Sequence, residues 1–158
     1  MERKTICMAK SNASPATARK AGTPTTAKTT RTVRPRVRTA TAKLPKAVSI
    51  AIQAARDKKA ADVVVLDLRK TGGFTDFFVI CTGNNPRQIV AIADAVRDTL
   101  KQELGERPAL SEGVDRSEWV LLDYFNFVVH VFSRECRSFY ALERLWGNAE
   151  RIDFPNED

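Results

Sequence analysis

The chain has 158 residues, with 26 lysines and arginines against 19 acidic residues and a formal net charge of +7. Residues 1–45 hold eleven of the basic residues and a single acid, so residues 46–158 carry a net charge of −3. The basic excess therefore belongs to an N-terminal extension and excludes any inference from overall charge to the function of the remainder. No apolar run approaches the ~20 residues that span a bilayer, and no N-terminal apolar segment resembles a secretory signal. We expect a soluble intracellular protein.

The N-terminal extension, residues 1–45, has no aromatic residue, and its few apolar residues are scattered among Thr, Ala, Lys, Arg and Pro. Such a segment cannot offset the entropy lost on ordering, so we expect it to be disordered. Three interpretations stay open: a basic arm that contacts RNA phosphates, a solvated extension without a specific role, and an organellar transit peptide. Prolines at 15, 24, 35 and 45 interrupt any long amphipathic helix and count against the third.

The first elements of the remaining domain, residues 46–158, are a helix followed by two strands. Apolar residues at helical spacing predict a helix over 46–59, which Pro45 can open. β-branched and aromatic runs predict strands over 63–68 and 75–82. The short glycine-containing connection between these strands favours an antiparallel hairpin.

A second helix and a second pair of strands follow. Asn85 and Pro86 are typical of a helix start, and Gly105 of its end. After a loop with a short edge strand near 108–110, the sequence predicts strands over 118–124 and 127–132.

The last predicted element is a helix that Ser133 caps and Gly147 ends. The whole order predicts an α/β (α+β) domain: a mixed sheet of four to five strands packed with about three helices.

Strand alternation divides the two late strands into two faces. One is a plain aliphatic face: Val120, Leu122, Val129 and Val131. The other, here called the mixed face, carries Trp119, Leu121, Asp123, Val128, His130 and Phe132. A large aromatic beside a carboxylate and an imidazole is typical of a partner-binding surface, with Trp119 and Tyr124 the large aromatics expected nearest to it and its turn. The alternative is that helices cover both faces and that Trp119 belongs to the core.

No set of residues has the spacing of a catalytic or metal site. His130 is the only histidine and could act as a base oriented by Asp123, but no nucleophile completes the set. Asp67, Asp76 and Asp123 lie near strand ends without the D-x-D pair that two-metal nucleotidyl transfer needs. The three cysteines form no CxxC pair, which argues against a zinc site. We expect no enzymatic activity, no metal and no cofactor.

Three motifs carry a resemblance to a known family: FTDFFVICTGNNPRQIVAIAD, EWVLLDYFNFVVHVF and FYALERLW. In this order they resemble the ribosomal silencing factor (RsfS, or Iojap) family over about residues 46–151. The resemblance implies a fold related to nucleotidyltransferases without their catalytic residues, and a turn after Tyr124 that departs from the family's usual Gly-Asp. The basic extension is not part of the family pattern.

The resemblance also implies a function. Members bind the large ribosomal subunit through its protein L-fourteen, block joining of the small subunit and lower translation when nutrients are short. It places Trp119, Leu121, Asp123 and Tyr124 in or near that contact, and His130 and Asp76 at other motif positions with a weaker assignment. A homodimer away from the ribosome is compatible with it, as are a cytoplasmic bacterial location and, if residues 1–45 are a transit peptide, an organellar one. The rival functions are a large-subunit assembly factor and a residual nucleotidyltransferase.

Overall fold

Helices are interleaved with pairs or groups of strands along the chain in the computed structural model, which describes residues 44–156. The predicted disorder of the N-terminal extension falls on residues 1–43, which lie outside the described range. The helices are α1 (Lys46–Asp57), α2 (Pro86–Leu104), α3 (Arg134–Tyr140) and the four-residue α4 (Leu142–Leu145). The strands are β1 (Ala61–Asp67), β2 (Phe77–Thr82), β3 (Leu110–Glu112), β4 (Trp119–Asp123), β5 (Phe127–Phe132) and β6 (Glu150–Phe154).

The strands form one mixed sheet in the order β3-β4-β5-β2-β1-β6. β2 and β5 pair in parallel, and the other neighbouring pairs are antiparallel. The predicted mixed sheet and the predicted β1–β2 hairpin are therefore confirmed. The predicted number of four to five strands is wrong, because β6 adds a strand at the β1 edge. Its only fully buried residue is Ile152, so its sequence lacks the apolar run on which a strand prediction depends.

Helices α1 and α2 pack on one face of the sheet. α2 begins at Asn85, whose side-chain Oδ1 accepts a hydrogen bond from the Gln88 amide at 2.9 Å, and ends at the left-handed Gly105. Val48, Ile52, Ile92 and Val96 belong to the core cluster that both helices form with the sheet. α2 is 19 residues long, and no helix within residues 44–156 combines the length and apolar character needed to cross a membrane.

Among residues 44–156, the helices on the opposite face are the short α3 and α4. Ser133 caps α3 as predicted, with its hydroxyl accepting from the Cys136 amide at 3.2 Å. The single last helix that the sequence predicted is interrupted at Ala141, which has a left-handed φ of 43°. Beyond this break, Glu143 accepts hydrogen bonds from the Arg137 guanidinium, the shorter at 2.6 Å. The break brings the two side chains together, which accounts for its position.

Candidate partner-binding surface

The two late strands present the two faces that alternation predicted. Val120 and Leu122 are buried at 0 % and 1 % exposure and belong to the cluster beneath α1 and α2. Trp119 and Leu121 point the other way and pack, half-buried, against the cluster on the α3 side. The predicted division is therefore confirmed, and the mixed face is neither fully covered nor fully open.

Trp119 is held in one orientation by contacts on several sides of its indole. Its Nε1 donates a hydrogen bond to His130 Nδ1 at 3.1 Å. Its ring stacks on Phe132 with centroids 4.9 Å apart and lies 4.7 Å from the ring of Tyr140. An aromatic side chain that is partly exposed and already ordered loses little entropy when a partner binds, so Trp119 has the properties of an interface anchor.

Gly113 allows the loop before β4 to cross the backbone of Trp119. Its φ is 81°, and a Cβ added there would lie 1.8 Å from the Trp119 carbonyl oxygen. Any larger residue would therefore displace the start of β4. The loop therefore helps to fix the position of Trp119 through this backbone contact.

His130 lies beneath Trp119, at 4 % exposure, among the rings of Phe78 and Phe132. Burial lowers the pKa of His130 to about 3, so the ring is neutral at physiological pH. Because Nδ1 accepts the Trp119 hydrogen bond, the single proton is on Nε2, which has no hydrogen-bond partner among the described residues. The structure therefore gives His130 a role in orienting Trp119, and its direct contact with a partner stays a prediction.

Asp123 and Asp76 lie at the same end of the strands, where β4 ends and β2 begins. Asp123 Oδ1 accepts a hydrogen bond from the Phe125 amide at 2.8 Å and so stabilises the β4–β5 turn. It is not hydrogen-bonded to His130, and the arrangement of a base and its orienting carboxylate is not formed. Asp76 is exposed, and its backbone amide donates to the Asn126 carbonyl at 3.0 Å. Asp123 belongs to the mixed face by alternation, whereas Asp76 lines a pocket together with Lys46 and Val48 of α1. Contact of either carboxylate with a partner stays a prediction.

Tyr124 lies on the opposite side of the sheet from Trp119. It is 6 % exposed, stacks on Phe127 with centroids 4.8 Å apart, and belongs to the cluster beneath α1 and α2. Burial raises the pKa of its hydroxyl to about 12. The expected position of Tyr124 beside the mixed face is wrong, because continued alternation places it with Val120 and Leu122. Its contact with the partner stays a prediction, and in this geometry it supports the turn from below.

Phe74, Leu110 and Phe125 form an exposed apolar edge that the sequence patterns did not predict. Phe74 and Phe125 are 76 % and 75 % exposed, and Leu110 is also exposed. Phe125 has a φ of 66° within a turn closed by an Asn126 N–H to Tyr124 carbonyl bond of 2.8 Å, the pattern of a γ-turn. A signal was present, since a bulky residue at a hairpin turn where Asn or Gly is usual is itself uncommon.

The carboxylates considered for nucleotidyl transfer do not form a metal site. Asp67 makes a two-pronged salt bridge to Arg69, with Nη2 to Oδ2 at 2.6 Å. The hydrogen bond from Arg69 holds the pKa of Asp67 below its usual value. Asp123 is engaged in its turn. Within residues 44–156, no three His, Cys, Asp or Glu side chains are grouped as metal binding requires.

Comparison with protein families gives a match over residues 41–158. The family is described as "Ribosomal silencing factor during starvation". The match covers the whole described domain.

Similar proteins occur in bacteria and in plants. A ribosomal silencing factor RsfS from Bacillus subtilis is 42% identical over 106 residues, which cover 67% of this chain and 89% of that protein. The chloroplastic protein Iojap from Arabidopsis thaliana is 38% identical over 104 residues, 66% of this chain and 43% of that protein. A crystal structure of a protein from Chromobacterium violaceum superposes with a TM-score of 0.62 at 37% identity, over 64% of this chain and 83% of that one.

Proposed function

We propose that this chain, which belongs to the ribosomal silencing factor (RsfS) family, binds ribosomal protein L-fourteen on the large subunit and blocks joining of the small subunit. Translation would fall as a result when nutrients are short, in keeping with the starvation context of the family description. The observation that carries the proposal is the family match across residues 41–158.

The mixed face is the surface proposed for L-fourteen. Trp119 and Leu121 are half-buried there, and the exposed apolar edge continues the surface past Asp123. A specific interface needs about 800 Å² on each partner, and such an area would include both regions. The net charge of −3 on residues 46–158 favours a basic partner, a common property of proteins that bind ribosomal RNA.

The proposed mechanism is steric occupancy. A domain bound on the subunit interface obstructs the other subunit, and this needs neither a catalytic residue nor a cofactor. The basic residues 1–45 would add salt-sensitive affinity for nearby ribosomal RNA. The chain would act where ribosomes act, in the bacterial cytoplasm, or in an organelle if residues 1–45 direct import.

The test is a subunit-joining assay with the full chain and purified ribosomal subunits, followed by light scattering and by sucrose-gradient sedimentation. The wild-type chain should sediment with large subunits and keep them from joining small subunits. Trp119→Ala should reduce both effects, whereas Lys101→Gln, an exposed position on α2 at the other face, should leave them unchanged.

Two results would contradict the proposal. If large subunits that carry the bound chain still join small subunits normally, an assembly role would be favoured over silencing. If Trp119→Ala binds large subunits as tightly as the wild type, the mixed face is not the interface.

A further inference from the structure

A second site candidate lies at the β1–β6 side of the sheet, away from the mixed face. A cleft of about 1000 Å³ opens there between the two strands and the α3–α4 segment. Four arginines line it: Arg134, Arg137, Arg144 and Arg151. In the sheet order, β5 and β2 separate β4, which carries Trp119, from this side. The proposed L-fourteen surface therefore does not use this arginine cleft.

The arginine cleft concentrates positive charge on an acidic domain. Its four arginines face three carboxylates, Asp62, Glu143 and Asp153, so its lining is net positive. Residues 46–158 as a whole carry a net charge of −3. The local excess of arginine is therefore opposite in sign to the rest of the domain, and an anion approaching the domain is attracted to this side.

Two of the arginines are neutralised within the cleft and two are not. Arg137 pairs with Glu143 at 2.6 Å, and Arg151 pairs with Asp153 at 2.7 Å. Arg134 and Arg144 are exposed and form no salt bridge within residues 44–156. The pairs form the walls, and the two remaining guanidinium groups are available to a ligand.

The backbone of the cleft is held in conformations that cost energy. Asp62 and Ala141, with φ of 48° and 43°, are non-glycine residues in the left-handed region, and both line the cleft. The Asp62 carbonyl accepts a hydrogen bond from Arg137 Nη1 at 2.6 Å, and Thr82 Oγ1 accepts from the same nitrogen at 2.7 Å. Backbone strain of this kind persists where the surrounding contacts enforce it, and it concentrates at binding sites.

We infer that the arginine cleft binds the phosphate backbone of RNA, an inference that rests on the proposed function because a chain bound to the ribosome is surrounded by RNA. The planar guanidinium fork matches phosphate oxygens in geometry and charge.

The experiment measures binding of a short fluorescently labelled RNA of mixed sequence to the full chain over a series of salt concentrations. The test variant is Arg134→Gln with Arg144→Gln. The matched control is Lys70→Gln with Arg107→Gln, two exposed positions outside the cleft that give the same change in net charge. We expect the test variant to lose roughly tenfold or more in affinity, with the slope of log affinity against log salt reduced by about 1 to 2. The control should stay close to the wild type.

An equal loss of RNA affinity in both double variants would overturn the inference, since total charge alone would then explain the binding. A second outcome would also overturn the inference: inorganic triphosphate stabilises the wild-type chain, and the test variant binds RNA as well as the wild type does. The cleft would then be assigned to a small phosphate ligand. Binding to purified L-fourteen, measured on the same proteins, separates the two proposals. It should be unchanged in the cleft variant even if RNA binding is lost.

Discussion

Trp119 and Val120 are adjacent in β4, point to opposite faces of one sheet, and so test the proposed interface against the core. Trp119→Ala removes an indole that stacks on Phe132 and donates to His130. Val120→Ala removes methyl groups from a side chain with 0 % exposure beneath α1 and α2. The first change should act mainly on binding, and the second only on stability.

The magnitudes follow from the two environments. An aromatic interface anchor contributes about 2 kcal/mol or more, so Trp119→Ala should raise the Kd for large subunits by roughly thirtyfold or more. It also leaves His130 Nδ1 without its donor, at about 1 to 3 kcal/mol of stability. Val120→Ala should cost roughly 1 to 3 kcal/mol of stability through a cavity, and each kcal/mol lowers the melting temperature of a domain this size by roughly 4 to 8 °C.

Trp119→Phe separates the binding effect from the stability effect. It keeps an aromatic ring beside Phe132 but removes the N–H donor and part of the indole's volume, so it should melt early while it retains more of the binding than Trp119→Ala does. Thermal melting and binding to large subunits should be measured on all three variants at a temperature where each is folded. The interface reasoning is refuted if Val120→Ala loses binding while folded, or if Trp119→Ala binds as well as the wild type.

Three further predictions concern stability. The pKa of His130 is about 3 in the folded protein and 6.5 in the unfolded chain. Its contribution to the free energy of unfolding is therefore complete above pH 6.5 and is lost as pH falls toward 3, by up to about 1.4 kcal/mol per pH unit. Urea unfolding of His130→Phe at pH 5 and 7 should show a smaller pH dependence than the wild type. Arg137→Met should cost about 3 kcal/mol, because it leaves Glu143 without its partner in a poorly exposed site, and Arg137→Met with Glu143→Leu should cost less; thermal melting of both compares them. Asn85→Ala should cost about 1 kcal/mol in denaturant unfolding through loss of the α2 cap, and an unchanged midpoint would show that the cap is replaced.

Much of the fold could be predicted because its signals are local. The α2 cap and end, the β1–β2 hairpin and the two faces of β4 and β5 follow from turn residues, propensity and alternation, and the structure confirms each. The C-terminal segment could not be predicted in this way. β6 exists because β1 offers it a partner strand, with Val65 opposite Ile152, and only a long-range pairing makes its charged sequence a strand.

The break at Ala141 has the same kind of cause. Alanine is the best helix former, so its sequence favours a continuous helix. The salt bridge from Arg137 to Glu143 and the hydrogen bond from Arg137 to the Asp62 carbonyl outweigh that preference, and the second joins residues 75 positions apart in sequence. For the candidate site, alternation correctly separated Trp119 from Val120. The same alternation places Tyr124 on the side of Val120, away from the mixed face. The exposure of Phe74 and Phe125 depends on loop geometry that no periodic pattern predicts.

The partial exposure of the mixed face follows from helix lengths. Six strands at about 4.8 Å spacing make a sheet about 24 Å wide. α2, with 19 residues, is about 28 Å long and with α1 can cover one face, whereas α3, with 7 residues, is only about 10 Å long. The second face therefore cannot be sealed by α3 and the single turn of α4. Part of it stays open at β4, where Trp119 lies, and the α3–α4 segment leaves the arginine cleft beside β1 and β6. The short length of α3 and α4 thus accounts for both candidate sites. Because the two sites lie at different strands of the sheet, a substitution in one can leave the other unchanged.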